Sequence, residues 1–376
     1  MKRKICYITT IALTVRAFFI PQLKYLAQNG YDVTVICSPD ENLKCELGES
    51  VRFLPVKIAR GISPTLFGSI ISLYKIFKSE KFDIVQYSTP NAAFVASVAA
   101  KMAHIKVRNY HLMGIRYLGM KGVMRRIFKC IEKVTCSLST HIECITKSNL
   151  KLAIDEHIFN KEKATIVWNG STGGVDVERF SLKKRAQYKE ETRKNLEISP
   201  DEFVFGFVGR ITRDKGINEM LSAFYGIDKE CKLLIVGNKE DDTIDKVLWE
   251  KALDDKNVII RESVSDIEKY YPAIDVLLLP SYREGFGMVI AEAAAMGTPA
   301  IVSNIPGPVD VVIPEETALL INVKDTYDLQ EKMEIFLDNP DLPHKMSEKC
   351  AEFVADKFDS NILCRKILER KDKLKV

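Results

Sequence analysis

Residues 275 to 303 read D-V-L-L-L-P-S-Y-R-E-G-F-G-M-V-I-A-E-A-A-A-M-G-T-P-A-I-V-S. Val276 to Leu279 form an unbroken apolar run, the pattern of a parallel strand buried on both faces. Pro280 ends the run. Gly285 and Gly287 then permit a tight turn, and a helix expected from about Gly287 to Met296 is stopped by Gly297 and Pro299. Strand, glycine turn and helix in this order form one crossover of a doubly wound sheet. A helix start beyond the carboxyl end of such a strand suits a phosphate group, through its first amides and the helix dipole.

Glu284 and Glu292 lie eight positions apart across this turn. Helical side chains tilt toward the N-terminus, so Glu292 reaches back toward the ligand that Glu284 faces, and carboxylates suit sugar hydroxyls. The plainer alternative is a helix start with two solvated acids. Against it, Glu292 sits among Ala291, Ala293, Ala294 and Ala295, surroundings in which an unpaired carboxylate is costly.

The same rhythm runs outward in both directions. Ile5–Thr9, Val33–Cys37, Phe53–Val56, Ile84–Tyr87, Val107–Tyr110, Ile142–Thr146 and Thr165–Trp168 read as strands. Helical patterns at Arg16–Gln28, Ser69–Lys78 and Ala92–Ala103, and from about Gly119 and Ser148, are interspersed among them. After a highly charged stretch from Ser181 to Pro200, expected as a surface connection with a short helix, the alternation restarts. Phe203–Val208, Leu233–Val236, Val258–Ile260, Val276–Leu279, Ala300–Val302 and Ala318–Ile321 are its strands. The expected architecture is α/β, with two doubly wound parallel-sheet domains, residues 1–180 and 181–356, and a cleft between them. Residues 357–376 read as a basic helix.

A chain of 376 residues, 46% hydrophobic and 28% charged, has room for two cores and an ordinary globular composition. The N-terminus enters strand pattern directly, without the apolar region of a leader, and Ala92–Ala100 is too short to span a bilayer. Nine cysteines without a C-x-x-C pair argue against both a disulfide framework and a metal site, and place the chain in the cytosol. Cys6, Cys37 and Cys144 are expected as buried thiols.

Net charge is +4 but unevenly spread. Residues 101 to 133 hold nine Lys or Arg against the single acid Glu132. Within them Lys121, Arg125, Lys129 and Lys133 recur every four residues as a stripe, while Tyr117, Met120, Met124, Ile127 and Ile131 form an apolar face. Such a helix lies on an anionic membrane, or packs on a core with its polar face solvated. Nucleic acid is disfavoured, because no aromatic residues interleave with the cations.

Three further segments carry chemistry. Gly209, Arg210, Lys215 and Gly216 stand in the loop after the first strand of the second domain, where two cations can neutralise a diphosphate. N-G-S-T-G-G-V-D-V-E-R-F, residues 169–180, either lines the cleft or merely turns the chain. His111, after a strand and before Leu112-Met113-Gly114, either hydrogen-bonds a ligand or is structural.

G-R-I-T-R-D-K-G, V-G-N, the quoted stretch around Glu284 and Glu292, and N-G-S-T-G-G-V-D-V-E-R-F together resemble a family 4 retaining glycosyltransferase of the GT-B fold, two Rossmann-like domains facing across a cleft. The chain is similar to enzymes that extend capsule, O-antigen or glycoprotein glycans on a polyprenyl diphosphate carrier. The resemblance implies that residues 1–180 bind the acceptor and 181–356 the nucleotide-sugar, with 357–376 packing back on the first domain. It implies that Arg210 and Lys215, beside Gly209, hold the donor's diphosphate. Glu284 and the backbone of Gly285, Phe286 and Gly287 would hold the transferred sugar. Met288 and Val289 would touch phosphate, and Glu292 the ribose. His111 is carried over as a catalytic candidate. Thr10, Arg116, Lys121, Arg125, Lys129 and Lys133 stand on the acceptor and membrane side.

The reaction so implied is metal-independent and retaining, without a cofactor. It moves a hexose or N-acetylhexosamine, with UDP as the expected carrier, at the inner face of the cell membrane. One departure is the first loop, Thr9-Thr10-Ile11-Ala12-Leu13-Thr14, where many relatives have a glycine pair. The alternatives are a nucleotide-sugar 2-epimerase on the same fold and a non-catalytic sugar-nucleotide-binding subunit. A NAD dehydrogenase is disfavoured because G-F-G-M-V-I lacks the third glycine of the dinucleotide fingerprint.

Overall fold

The computed structural model describes residues 2–59, 61, 65–240 and 243–375, and the counts below refer to these. From the N-terminus the order is β1 (Arg3–Ile8), α1 (Ala12–Phe18), α2 (Ile20–Gln28), β2 (Tyr31–Cys37), α3 (Leu43–Leu47), β3 (Val51–Pro55) and α4 (Thr65–Glu80). There follow β4 (Ile84–Tyr87), α5 (Pro90–Met102), β5 (Val107–Leu112), α6 (Gly122–Leu138), β6 (His141–Cys144), α7 (Lys147–Asp155) and β7 (Ala164–Ile166). After α8 (Arg185–Asn195) come β8 (Val204–Val208), α9 (Ile217–Gly226), β9 (Lys232–Val236), α10 (Lys246–Asp254) and β10 (Val258–Arg261). The chain ends with β11 (Val276–Leu279), α11 (Met288–Ala295), β12 (Ala300–Ser303), β13 (Ala318–Ile321), α12 (Thr326–Asp338), α13 (Leu342–Phe358) and α14 (Ser360–Lys373).

The chain divides into two units, one comprising the residues up to Gly174 together with those from Ser360 on, the other Val175–Asp359. In the first unit seven parallel strands are ordered β3-β2-β1-β4-β5-β6-β7. Successive residues of β1 point to opposite faces, as strand geometry requires. Cys6 and Ile8 enter a core with Leu73 and Phe77 of α4 and Val95 and Ala99 of α5. Ile5 and Tyr7 enter a second core with Leu23 and Leu26 of α2 and Leu363 and Ile367 of α14. Cys6, Cys37 and Cys144 are buried thiols.

The second unit is a six-stranded parallel sheet ordered β10-β9-β8-β11-β12-β13. All four residues of β11 are buried, as an apolar run in a parallel sheet demands. In each sheet the first strand sits where the order reverses, β1 between β2 and β4, β8 between β9 and β11. Loops leaving the carboxyl ends at such a switch point frame a ligand site.

Several elements differ from the sequence expectation. The helix expected over Arg16–Gln28 is two helices, α1 and α2, divided at Phe19. Pro21 follows in the first turn of α2, where its missing N–H costs no intrahelical bond. The segment from Ser181 to Pro200 is more than a surface connection. Arg193 of α8 is 4% exposed and ties Asp275 (2.7 Å) to the carbonyls of Ala273, Pro200 and Glu202. The helix expected over 357–376 is α14, which starts only at Ser360, because 357 and 358 end α13 and Asp359 separates the two.

Candidate active site

In the second unit the loops after β8 and β11 leave adjacent strands and are fastened to each other. The Tyr282 N–H donates to the Asp214 carbonyl at 2.8 Å, the Tyr282 hydroxyl donates to Glu219 at 2.7 Å, and Arg283 pairs with Asp214 at 2.9 Å. Gly216 has φ +76°, and a Cβ there would lie 2.2 Å from the Pro280 carbonyl oxygen. Only glycine meets both demands. This close approach sets Lys215 Nζ 2.5 Å from Glu284 Oε1, a pair whose side chains are 18% and 12% exposed. Ser281, fully buried, donates to the same oxygen at 2.9 Å.

Sequence reasoning placed Lys215 and Glu284 in one site but missed their direct pairing and the Ser281 bond. The signal for Ser281 was present, a hydroxyl three residues before the acid at a strand end. Arg210 shares the loop of Lys215 but turns outward. Its side chain is 54% exposed and pairs with Glu240 at 3.2 Å, so it does not join the Lys215–Glu284 cluster. Gly209 directly follows β8, its N–H bonded to the Val236 carbonyl.

Downstream, Gly287 in the left-handed region (φ 92°) caps α11 without a side-chain bond. Phe286 is a core residue, 3% exposed and edge-on to Phe358 at 5.2 Å, so its side chain is turned into the core. Met288 and Val289 form the half-buried first turn of α11. Glu292 accepts a bond from the Tyr271 hydroxyl at 2.8 Å. Burial pushes its carboxyl up to about 7, against the opposing effect of the Tyr271 bond and Arg179. Tyr271, on a 3₁₀ turn, stands in no motif and carried no sequence signal.

The first unit repeats the switch-point geometry at β1 and β4. Thr10 donates its N–H to Thr89 Oγ1 at 3.2 Å and shares a 2.8 Å hydroxyl bond with it, and is 8% exposed. Thr89 has φ +66°, an outlier for a β-branched residue. His111, expected after β5, lies within it, at the carboxyl end. It is 8% exposed, with Nδ1 3.4 Å from Ser88 Oγ and its ring edge-on to Phe19 at 5.6 Å. Burial lowers its pKa to about 4. A cavity of about 20 Å³, room for one water, borders His111, Glu143, Lys371, Gln86 and Ser171. Within residues 169–174, the Ser171 N–H bonds the Ile145 carbonyl, and a Cβ on Gly173 would lie 2.8 Å from the Phe18 carbonyl oxygen. This loop is pressed onto its neighbours and also borders that cavity.

The helix expected to carry a basic stripe and an apolar face, on a membrane or on a core, turns a mixed face inward. The inward residues of α6 are Phe128, Glu132, Thr135 and Cys136. Arg125 and Lys129 both bond Glu156, at 3.0 and 2.5 Å, and lie over the Tyr117 ring. Met124 and Ile127, expected on the apolar face, are 48% and 39% exposed, and Val123 and Val134 are 69% and 39% exposed. Lys121, Arg126 and Lys133 flank them in solvent. Arg116 lies over the Phe128 ring at 4.7 Å and donates to Asn91 at 3.0 Å. On α4, Phe67 and Ile71 are also exposed, at 73% and 53%. No helix among the described residues is long and apolar enough to cross a membrane.

Residues 188–353 match the family described as glycosyl transferases group 1, and residues 4–146 the one described as glycosyl transferase 4-like. The capsular polysaccharide biosynthesis glycosyltransferase CapM of Staphylococcus aureus is 30% identical, over 96% of this chain and 94% of its own. The UDP-Gal:alpha-D-GlcNAc-diphosphoundecaprenol alpha-1,3-galactosyltransferase of Escherichia coli is 27% identical, over 100% and 96%. Among solved structures, Anabaena Alr3699/HepE in complex with UDP and glucose superposes with a TM-score of 0.80 at 16% identity, covering 99% of this chain and 100% of that one.

Proposed function

Because the chain belongs to the group 1, family 4-like glycosyltransferases of the GT-B fold, we propose that it moves a hexose or N-acetylhexosamine from a UDP-sugar to a saccharide on a polyprenyl diphosphate, with retention of configuration, in building a surface polysaccharide. The observation that carries this reading is the Lys215–Glu284 pair, held at the switch point beside the start of α11. The E. coli relative names both a UDP-sugar and a diphosphoundecaprenol acceptor over the whole length of the chain, which supports donor and acceptor class.

In this reading the bond from the sugar's anomeric carbon to the diphosphate oxygen breaks as a bond forms to the acceptor hydroxyl oxygen on the same face. The acceptor's proton passes to the departing diphosphate. Lys215 neutralises charge growing on that diphosphate, helped by the amides at the start of α11, and no residue needs to act as nucleophile. Glu284, fixed through one oxygen by Lys215 and Ser281, aligns the sugar through its hydroxyls. Glu292 takes the ribose hydroxyls. Arg210 reaches the diphosphate by leaving its exposed pairing with Glu240, which costs at most about 1 kcal/mol. The exposed apolar ridge of α6 with Lys121, Arg126 and Lys133 rests on an anionic bilayer at the inner membrane face, where a polyprenyl carrier resides.

The test pairs a thermal-shift screen of UDP-, GDP- and ADP-sugars with a transfer assay to a synthetic polyprenyl-diphosphate saccharide, the new linkage read by NMR. UDP-sugars should give the largest shift and an axial or equatorial linkage matching the donor. Glu284→Gln should abolish transfer while the variant still melts cooperatively. Full transfer by that variant, or an epimerised donor formed without acceptor, would sink the assignment.

A further inference from the structure

The face of the first sheet that α14 covers is polar where a core face should be apolar. Two rows cross it: Tyr7 of β1, Gln86 of β4, Asn109 of β5 and His141 of β6 are register partners, and one step nearer the carboxyl ends His111 of β5 pairs with Glu143 of β6, with Ser88, just after β4, beside His111. Lys371 of α14, 1% exposed, descends onto this belt and donates to Glu143 at 2.7 Å and Gln86 at 2.6 Å. Asn109 donates to the same Gln86 oxygen at 2.8 Å, and Arg370 stands 3.4 Å from the other Glu143 oxygen. A buried ion pair of this kind is seldom more stabilising than apolar residues of the same shape. Stability alone therefore does not account for it.

His111 and Glu143 are direct register partners on β5 and β6, and both border the small cavity with Lys371. A buried carboxylate beside an imidazole favours the imidazolium, unless another cation takes up the carboxylate. We propose that Lys371 is a positioning residue for His111: by engaging Glu143 from the far end of the chain, it keeps the imidazole uncharged and oriented by Ser88 at the carboxyl end of β5. The charged and titratable groups around the imidazole are Glu143, Cys144 and, farther along β6, His141; Lys371 and Arg370 on α14; and Tyr7 on β1, reached through Phe19. Gln22 of α2, Ser171 and Thr172 are uncharged parts of the lining. The electrostatics agree. Burial alone would raise the Glu143 carboxyl, yet the Lys371 charge and hydrogen bond hold it at about 2. Burial lowers His111 to about 4, with Glu143 pulling it up and Lys371 pushing it down. Lys371 thus opposes the pull of its own partner on the imidazole.

The catalytic consequence rests on the glycosyltransferase reading, whereas the protonation of His111 does not. The experiment is a histidine-labelled NMR titration of the full chain from about pH 8 to about pH 5, with the His111 signal assigned by its loss in His111→Gln. In the wild type the signal should stay that of a neutral ring throughout. In Lys371→Met it should titrate, with a midpoint at least about one pH unit above the wild-type one, and Glu143→Gln/Lys371→Met should return it to neutral. Lys371→Gln serves as a second single variant if the methionine does not fold, and Lys371→Arg should behave as wild type. A His111 that titrates normally in the wild type, or an unmoved midpoint in both single variants, overturns the proposal. Transfer assays on the same proteins should show Lys371→Met losing kcat as pH falls through the raised His111 midpoint, with the double variant relieved of that loss. Absence of transfer by the wild type would overturn the glycosyltransferase reading and leave the NMR result standing.

Discussion

Glu284 and Glu292 are eight residues apart and chemically unlike. Glu284 is held by a cation and a hydroxyl, and Glu292 by one tyrosine hydroxyl in a setting that penalises charge. With a carboxyl raised from 4.5 to about 7, Glu292 contributes stability that is fully present below about pH 4.5 and lost as pH rises through 7, up to roughly 3 kcal/mol. Glu292→Gln should flatten the melting temperature between about pH 5 and pH 8. If the ionised carboxylate accepts the ribose hydroxyls, a UDP-sugar should stabilise the wild type more at pH 8 than at pH 6, and the variant equally at both. A larger shift at low pH would remove Glu292 from the ribose. Gly216 gives the second prediction at this scale. Gly216→Ala meets the Pro280 carbonyl and a positive φ together, so it should cost about 1–3 kcal/mol and separate Lys215 from Glu284. Transfer should fall well beyond what the change in melting temperature explains. The glycine was legible in the sequence, while the carbonyl it faces, 64 positions on, belongs to another strand end and was not.

Among the elements, α6 separates what spacing can tell from what it cannot. Its existence and amphipathic character were legible, as were the strands of both sheets, because burial repeats with the period of the backbone. Its rotation was not. Phe128 anchors the inward face, and Glu156 on the loop after α7 draws Arg125 and Lys129 down over Tyr117, contacts that depend on tertiary neighbours. The end of β5 was set two residues early for a related reason, since the strand continues through His111 and Leu112, which pair with Glu143 and Cys144 of β6. The rotation changes which residues should meet a bilayer. Three outward cations contribute about 1 kcal/mol each, whereas fully burying a valine or isoleucine contributes roughly 1.5–3 kcal/mol. Val123→Ser/Ile127→Ser/Val134→Ser should therefore weaken binding to vesicles containing phosphatidylglycerol more than Lys121→Gln/Arg126→Gln/Lys133→Gln does, measured by co-sedimentation at fixed salt. Equal binding by wild type and the serine variant would return α6 to a solvated helix. Lys129→Gln should instead lower the melting temperature, because it takes a partner from Glu156.

On the scale of the whole chain, the two units are alike in plan, each with its reversal beside its first strand, but they are closed differently. The second is built from one continuous segment, while the first is finished only when α14 arrives from the end of the sequence. That helix and the residue after it bring Leu363, Ile367 and Leu374 into the core shared with β1 and α2, and its lysine is the partner of Glu143. Each large apolar side chain removed from burial costs roughly 1.5–3 kcal/mol, and a buried charge left without its partner about 3–5 kcal/mol. Their sum approaches the whole stability of an ordinary domain, about 5–15 kcal/mol. Ending the chain after Asp359 should therefore unfold the first unit and spare the second, whose core and Lys215–Glu284 pair use no residue beyond Asp359. Calorimetry of the truncated chain should retain one transition, which UDP at about one hundred times its dissociation constant stabilises by about 2.7 kcal/mol. Hydrogen exchange should show β1, β4, β5 and β6 unprotected while β8 and β11 stay protected. Retained protection in β1 and β6 would mean that α14 merely decorates a unit already complete, and would also weaken the case for Lys371 as the residue that sets His111.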